Sequence, residues 1–213
     1  MGSPFFFYWR FILSYFDTPL SQLDAVNICL SSMGEPSVNT LDGAAIDAQL
    51  ASDLIDETSR SVQSMGFYWN REIHEISPNV NGEIVLPANV ARVDSINGSK
   101  QVDVIQRGLR LYDKLNNTYS FDSSLTLEMV VLLAFEDLPL AAKQFITMRA
   151  ARLLQQRLLG SEQLQKFNAA DEQKSWVVLL QDEANVADSN MLYDNWSSGS
   201  ILNRGYFARG AFN

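Results

Sequence analysis

Few residues in this chain have the types and spacing for chemistry. The one histidine, His74, falls in Arg71-Glu72-Ile73-His74-Glu75-Ile76. In a strand it shares a face with Glu72 and opposes Ile73. An imidazole beside a carboxylate can act as a general base, and the same pattern describes an ordinary exposed or half-buried strand histidine. The one cysteine, Cys29, lies beside an apolar helical stripe and reads as a small core or interface residue rather than a nucleophile. A lone cysteine makes no intrachain disulfide, and a lone histidine furnishes neither a His-rich metal site nor most hydrolytic triads. Glycosidase work needs two acids facing each other across a cleft. The pairs Glu136-Asp137 and Asp182-Glu183 are adjacent on single elements and do not present that geometry. A glycan-degrading hydrolase using paired carboxylates is therefore carried only as the alternative reading. Neither G-x-x-x-x-G-K-[ST] nor G-x-G-x-x-G occurs. No catalytic residue, cofactor or metal is expected.

The elements that position these residues form a chain of 213 residues with 46% hydrophobic content, enough for a real core. The net charge of −9 repels nucleic acid phosphates and argues against a sequence-reading duplex binder. The start, Pro4-Phe-Phe-Phe-Tyr-Trp-Arg-Phe-Ile-Leu-Ser-Tyr-Phe16, is interrupted by Arg10. It is shorter than the ~20 apolar residues of a membrane span and has no basic segment before its apolar part. Two readings stand: a docking segment, or an upstream start whose rings pack opportunistically. The chain is expected to be soluble and made in a reducing cytoplasm.

Leu23, Val26, Leu30 and Met33 recur at helical steps behind a Ser21-x-x-Asp24 capping pattern and ahead of Gly34, predicting a helix over 21–33. A second stripe, Ile46, Leu50, Leu54, Thr58, Val62 and Met65, runs to Gly66 as a C-cap. The period then changes. Residues 69–76, 83–86, 90–96, 101–106, 109–113, 119–121 and 125–135 are short or alternating apolar runs, separated by Asn81-Gly82, Asn97-Gly98 and Asn116-Asn117. Residues 125–135 are long enough for a helix, but Val130-Val131 and their neighbours favour a strand. Helical spacing resumes after Pro139, with Ala142, Ile146, Ala150, Leu153, Leu154 and Leu158 on one face up to Gly160. Ser161 then caps a helix whose Val177, Leu180, Ala184, Ala187 and Met191 step along a bundle-like seam.

These elements predict an α+β fold: an antiparallel four-helix bundle with an inserted small antiparallel β-domain and an extended C-terminal arm. The expected segments are 1–20 (aromatic), 21–66 (first half of the bundle), 67–136 (β-domain), 137–189 (second half) and 190–213 (arm). The arm carries Tyr193, Trp196, Ile201, Leu202, Tyr206, Phe207 and Phe212 among Gly, Ser and Asn. Such spacing suits a segment that orders on a partner, or one that folds back over its own bundle. Charge is uneven: residues 17–59 include Asp47, Asp53, Asp56 and Glu57 and no Lys or Arg, whereas the third helix carries Lys143, Arg149, Arg152 and Arg157. Side-by-side copies could set acidic helices against basic ones, or these are two solvated faces of one bundle.

Ala25-Val-Asn-Ile-Cys-Leu-Ser-Ser-Met-Gly-Glu-Pro-Ser-Val-Asn-Thr-Leu-Asp-Gly43, with Gln63-Ser-Met-Gly-Phe-Tyr-Trp-Asn70 after an acidic helix, resembles the start of the tail tubular protein A family, the head-to-tail adaptors of short-tailed bacteriophages (podoviruses). Leu86-Pro-Ala-Asn-Val-Ala-Arg-Val-Asp94, Leu111-Tyr-Asp113 with Tyr119-Ser-Phe121, and Leu138-Pro139 leading to Ala150-Ala-Arg-Leu-Leu154 follow in the expected order. The resemblance runs from about Ser21 to Ser189, and Met33-Gly-Glu-Pro36 is its most specific part. It implies a virion structural protein assembled in the host cytoplasm: a dodecameric ring joining the portal protein to the tail nozzle protein (tail tubular protein B). Tail fibre protein would attach near that junction, and viral DNA would pass through the lumen at ejection without sequence-specific binding. On this reading the aromatic arm docks the portal, and the acidic and basic helices meet between subunits.

Overall fold

The computed structural model describes residues 20–96, 99, 102–160 and 162–194; the side chains of 162–168 and 187–194 lie outside the description. The order of elements is α1 (Gln22–Met33), α2 (Ile46–Gln63), β1 (Arg71–Ile76), β2 (Val90–Ser95), β3 (Val104–Arg107), β4 (Arg110–Asp113), β5 (Leu125–Val131), α3 (Leu140–Leu158) and α4 (Glu162–Asp194). Among the described residues, four α-helices and small antiparallel sheets make the fold α+β, as the periodicities predict. The chain divides into two compact units. One runs through Val62 and resumes over Leu133–Gln173; the other is Gln63–Leu132 with the chain from Lys174.

In the first unit, local chemistry fixes where α1 begins and ends. The Ser21 side chain accepts from the Asp24 N–H and the Asp24 carboxylate accepts from the Ser21 N–H, the reciprocal capping box expected from the spacing. Asp24 is held below the usual carboxylate range by the hydrogen bonds from Ser21. Gly34 closes the helix, its N–H reaching the carbonyls of Leu30 and Ser31. The loop beyond is clasped by Asn27, whose side chain accepts from the Val38 N–H at 2.8 Å and donates to the Val38 carbonyl at 3.0 Å.

Helix α1 packs against α3. Val26 and Leu30 of the predicted stripe are buried, Leu23 and Met33 are half-buried, and Ala25 and Cys29 complete the buried face. On α3 the predicted Ala142, Ile146, Ala150 and Leu154 are buried and Leu153 is half-buried. Leu158 does not belong to that face; it is exposed past the last buried turn. Pro139 stands at the N-cap of α3 rather than inside its first turn. In α2 the buried line is Ala48, Ala51, Leu54, Ile55, Thr58, Ser59 and Val62: the expected stripe holds at Leu54, Thr58 and Val62 and fails at its ends, where Ile46 is 81% exposed, Leu50 half-buried and Met65 exposed.

The second unit is built on β5. The three-stranded sheet has the order β1-β5-β2, both pairs antiparallel, and β3 pairs with β4 in a separate hairpin. The run 125–135 is thus a strand as far as Val131, followed after a short extended stretch by a single 3-10 turn at Phe135–Asp137. Ile84, Leu86, Val90, Val93, Val104, Leu111, Phe121, Leu125, Leu127 and Met129 form the core of this unit. The predicted runs 83–86 and 119–121 enter as isolated bridges rather than full strands, Glu83 opposite Ser120 and Val85 opposite Arg110.

Entry to β1 depends on Gly66 and Asn70. Gly66 has φ +79°, and a Cβ there would meet Arg92 and Val130 at 2.9 Å. Only glycine combines that dihedral with that closeness. The fully buried Asn70 side chain accepts from the Phe67 N–H at 2.8 Å and donates to the carbonyls of Gln63 and Val131 at 2.9 and 3.1 Å. The turn is therefore tied to both the last residue of α2 and the end of β5.

Candidate functional site

The residues first considered for catalysis have structural roles. His74 and Glu72 share a face of β1 at 2.6 Å, as the alternation predicts, and both are exposed. Cys29 is buried, and burial pushes its thiol up to about 12, so it is not a nucleophile at neutral pH. Of the carboxylate pairs, Glu136 accepts from the Gln22 N–H at 2.8 Å. Asp182 and Glu183 both turn to Tyr68, which donates from its hydroxyl to Asp182 and from its N–H to Glu183, each at 2.9 Å. No cluster of metal-ligating side chains occurs among the described residues, and no helix there is long and apolar enough to cross a membrane.

The basic residues of α3 have acidic partners within their own chain. Lys143 is 2% exposed; its ammonium donates to the Glu136 carbonyl at 2.9 Å and lies 3.7 Å from the Glu136 carboxylate. Arg152 pairs with Glu172 of α4, Arg149 approaches the same carboxylate at 3.9 Å, and Arg157 meets Glu57 of α2 at 3.2 Å. On the acidic side, Asp56 accepts from the Gln22 amide at 3.2 Å. Asp47 and Asp53 form no ion pair among the described residues. Tyr193 belongs to α4, which runs to Asp194, beyond the expected end of helical periodicity; its side chain lies outside the description. Trp196, Ile201, Leu202, Tyr206, Phe207 and Phe212 of the arm, like the aromatic residues 4–16, lie outside the described residues.

Helix α4 corrects the expected seam. Its inward stripe is Glu172, Trp176, Leu179, Glu183 and Val186, at steps of four and three, with Leu179 fully buried. Val177 and Leu180 are 45% and 44% exposed, and Ala184 is exposed; Ala187 and Met191 have no described side chains. The described part of the seam, Val177, Leu180 and Ala184, faces out, because two of the five inward positions are glutamates, which an apolar pattern does not count.

A surface that the sequence pattern did not single out lies on the hairpin. Residues paired across an antiparallel ladder point to one side. Ile105 opposite Tyr112 and Arg107 opposite Arg110 thus share a face, joined by Val85 through its bridge to Arg110. The Arg107 guanidinium stands 3.6 Å from the centroid of the Tyr112 ring, and that of Arg110 stands 4.4 Å from Tyr119. The two tyrosines meet edge to face at 4.8 Å. Arg110 also pairs with Glu83 at 2.7 Å, while Arg107 has no ion pair among the described residues. The signal in the sequence is an arginine on each side of Gly108-Leu109, with tyrosines two and nine residues beyond Arg110.

The site residues thus comprise two arginines set over tyrosine rings on the hairpin and an outward apolar stripe on α4. The tail tubular protein family model matches residues 23–189, and the chain belongs to that family of structural components of bacteriophage tails; it is not an enzyme. Tail tubular protein A of Klebsiella phage KP34 is 32% identical over 127 residues, 60% of this chain and 67% of that protein. The glycan hydrolase alternative falls with this result.

Proposed function

We propose that the chain is the head-to-tail adaptor of a short-tailed phage. In this reading it forms a twelve-fold ring between the portal and the tail nozzle protein, supports fibre attachment, and leaves a lumen through which DNA is ejected. The helices form an antiparallel four-helix bundle that carries the β-unit as an insertion. Assembly takes place in the host cytoplasm, before the virion is complete.

The observation that carries the proposal is the outward stripe of α4. Apolar side chains at regular helical spacing and half in water are what a subunit of a larger assembly keeps for a neighbour. The net charge of −9 supports a lumen in which DNA slides without sticking. Of the charges expected between subunits, Asp47 and Asp53 keep that role in the proposal, since Asp56, Glu57, Lys143, Arg149, Arg152 and Arg157 have partners in their own chain. The arm after Asp194, with Trp196, Ile201, Leu202, Tyr206, Phe207 and Phe212, grips the portal.

The test is the light-scattering mass of the purified chain alone and after mixing with portal rings. A stoichiometric ring complex is expected, and truncation after Asp194 is expected to abolish portal capture while the helical signal remains. A chain that stays monomeric beside intact portal rings overturns the adaptor reading. A truncated chain that still captures portal overturns the assignment of the arm.

A further inference from the structure

We infer that the outer face of the β3–β4 hairpin of one copy receives the outer stripe of α2 of the next copy, with Arg107 set against Asp53. The inference rests on the ring reading above and specifies the contact that builds it.

On α2, Ile46, Leu50, Asp53 and Glu57 fall at helical steps along one line. That line is opposite the buried face: Ile46 is 81% exposed, Leu50 half-buried and Asp53 exposed. Glu57 is engaged by Arg157. The stripe thus presents apolar surface beside one unmatched carboxylate, in a region that has no Lys or Arg until Arg60.

The hairpin face is its complement. Ile105, Val85 and Leu109 are 42%, 52% and 51% exposed around Arg107 and Arg110. Arg110 is already committed to Glu83, which leaves Arg107 as the donor on offer. The Arg107 guanidinium carbon lies 3.6 Å from the centroid of the buried Tyr112 ring, which restrains the group over the ring, and Arg107 forms no ion pair among the described residues. A guanidinium restrained in this way loses little side-chain entropy on forming a bidentate pair. Each surface is apolar beside a single unmatched charge, and the charges are opposite. Because the two patches differ, the contact is heterologous, the kind that propagates into a ring when the rotation closes.

The test uses the full-length chain under the conditions in which the wild type assembles, with portal rings present if they are required. Asp53→Arg and Arg107→Glu are each expected to raise the half-assembly concentration by about tenfold or more, and the double reversal to recover most of that loss. Asp53 is exposed, so the Asp53→Arg chain keeps its fold, checked by circular dichroism. Raising salt should weaken wild-type assembly and narrow the gap between variants. Single reversals that assemble like the wild type overturn the pair while leaving the ring reading intact. Recovery that fails in the double reversal also overturns the pair. A wild type that never leaves the monomer overturns the ring reading and this contact with it.

Discussion

The hydroxyl of Tyr68 donates to the Asp182 carboxylate at 2.9 Å, while the backbone N–H of the same tyrosine holds Glu183. One residue just past α2 thus fixes two consecutive acids of α4 and, with them, the rotation of that helix about its axis. Partial burial and then the Asp182 hydrogen bond push the Tyr68 phenol upward. Removing the hydroxyl with Tyr68→Phe should cost about 0.5 to 1.5 kcal/mol in denaturant unfolding. A raised folded pKa means stability that is present below the ordinary tyrosine range and lost above it. The wild type should therefore lose part of the Tyr68→Phe difference as pH passes 10.

Lys143 and Arg157 lie on the same helix and should respond very differently to truncation. Lys143→Ala empties a buried site and leaves the Glu136 carbonyl without its donor, and should cost about 2 to 4 kcal/mol in thermal or denaturant unfolding. Arg157→Ala breaks an exposed pair with Glu57 and should change stability by no more than about 0.5 kcal/mol.

Cys29 should resist thiol reagents in the folded chain at pH 8 and react at the ordinary thiol rate once the chain is unfolded in denaturant. Its folded pKa is raised, so the unfolded thiol ionises first and stability should fall as pH rises from about 9 towards 12. Cys29→Ala should remove that slope.

The Asp113 carboxylate organises the turn after β4. Burial raises its pKa, but hydrogen bonds from the Asn116 side chain and from the N–H groups of Asn116 and Leu115 outweigh it, and the net shift is downward. Its contribution is present at neutral pH and is lost as pH falls below the ordinary carboxylate range. Asp113→Asn should lower stability by about 1 to 3 kcal/mol at pH 7 and by less at pH 3, read as denaturant midpoints at the two values.

Local order was legible wherever neighbouring residues in sequence decide it. The Ser21 and Asp24 box, the Gly34 and Gly66 stops, the shift from helical to alternating spacing after Asn70, and the strand character of Leu125–Val131 all follow from short-range sterics and hydrogen bonding. The pairing of His74 with Glu72 follows for the same reason, since a strand alternates whatever surrounds it.

Tertiary structure decided which face of each helix is inside and which charges are already spent. On α4, Glu172 and Glu183 point inward because Arg152 and Tyr68 meet them there, so the apolar line of Val177 and Leu180 is left in water. Lys143 carries the same formal charge as Arg157 but is buried, because Glu136 and its carbonyl lie within reach after the 3-10 turn. Arg107 is distinguished from the other arginines only by a hairpin register that sets it over Tyr112 and gives Glu83 to Arg110 instead. The sequence by itself determined the elements and their ends, because those depend on contacts a few residues apart. Only the fold determined the available surface, because a charge or an apolar side chain is free or engaged according to partners that the chain path brings together, seven positions away for Lys143 and Glu136, 20 for Arg152 and Glu172 and 115 for Tyr68 and Glu183.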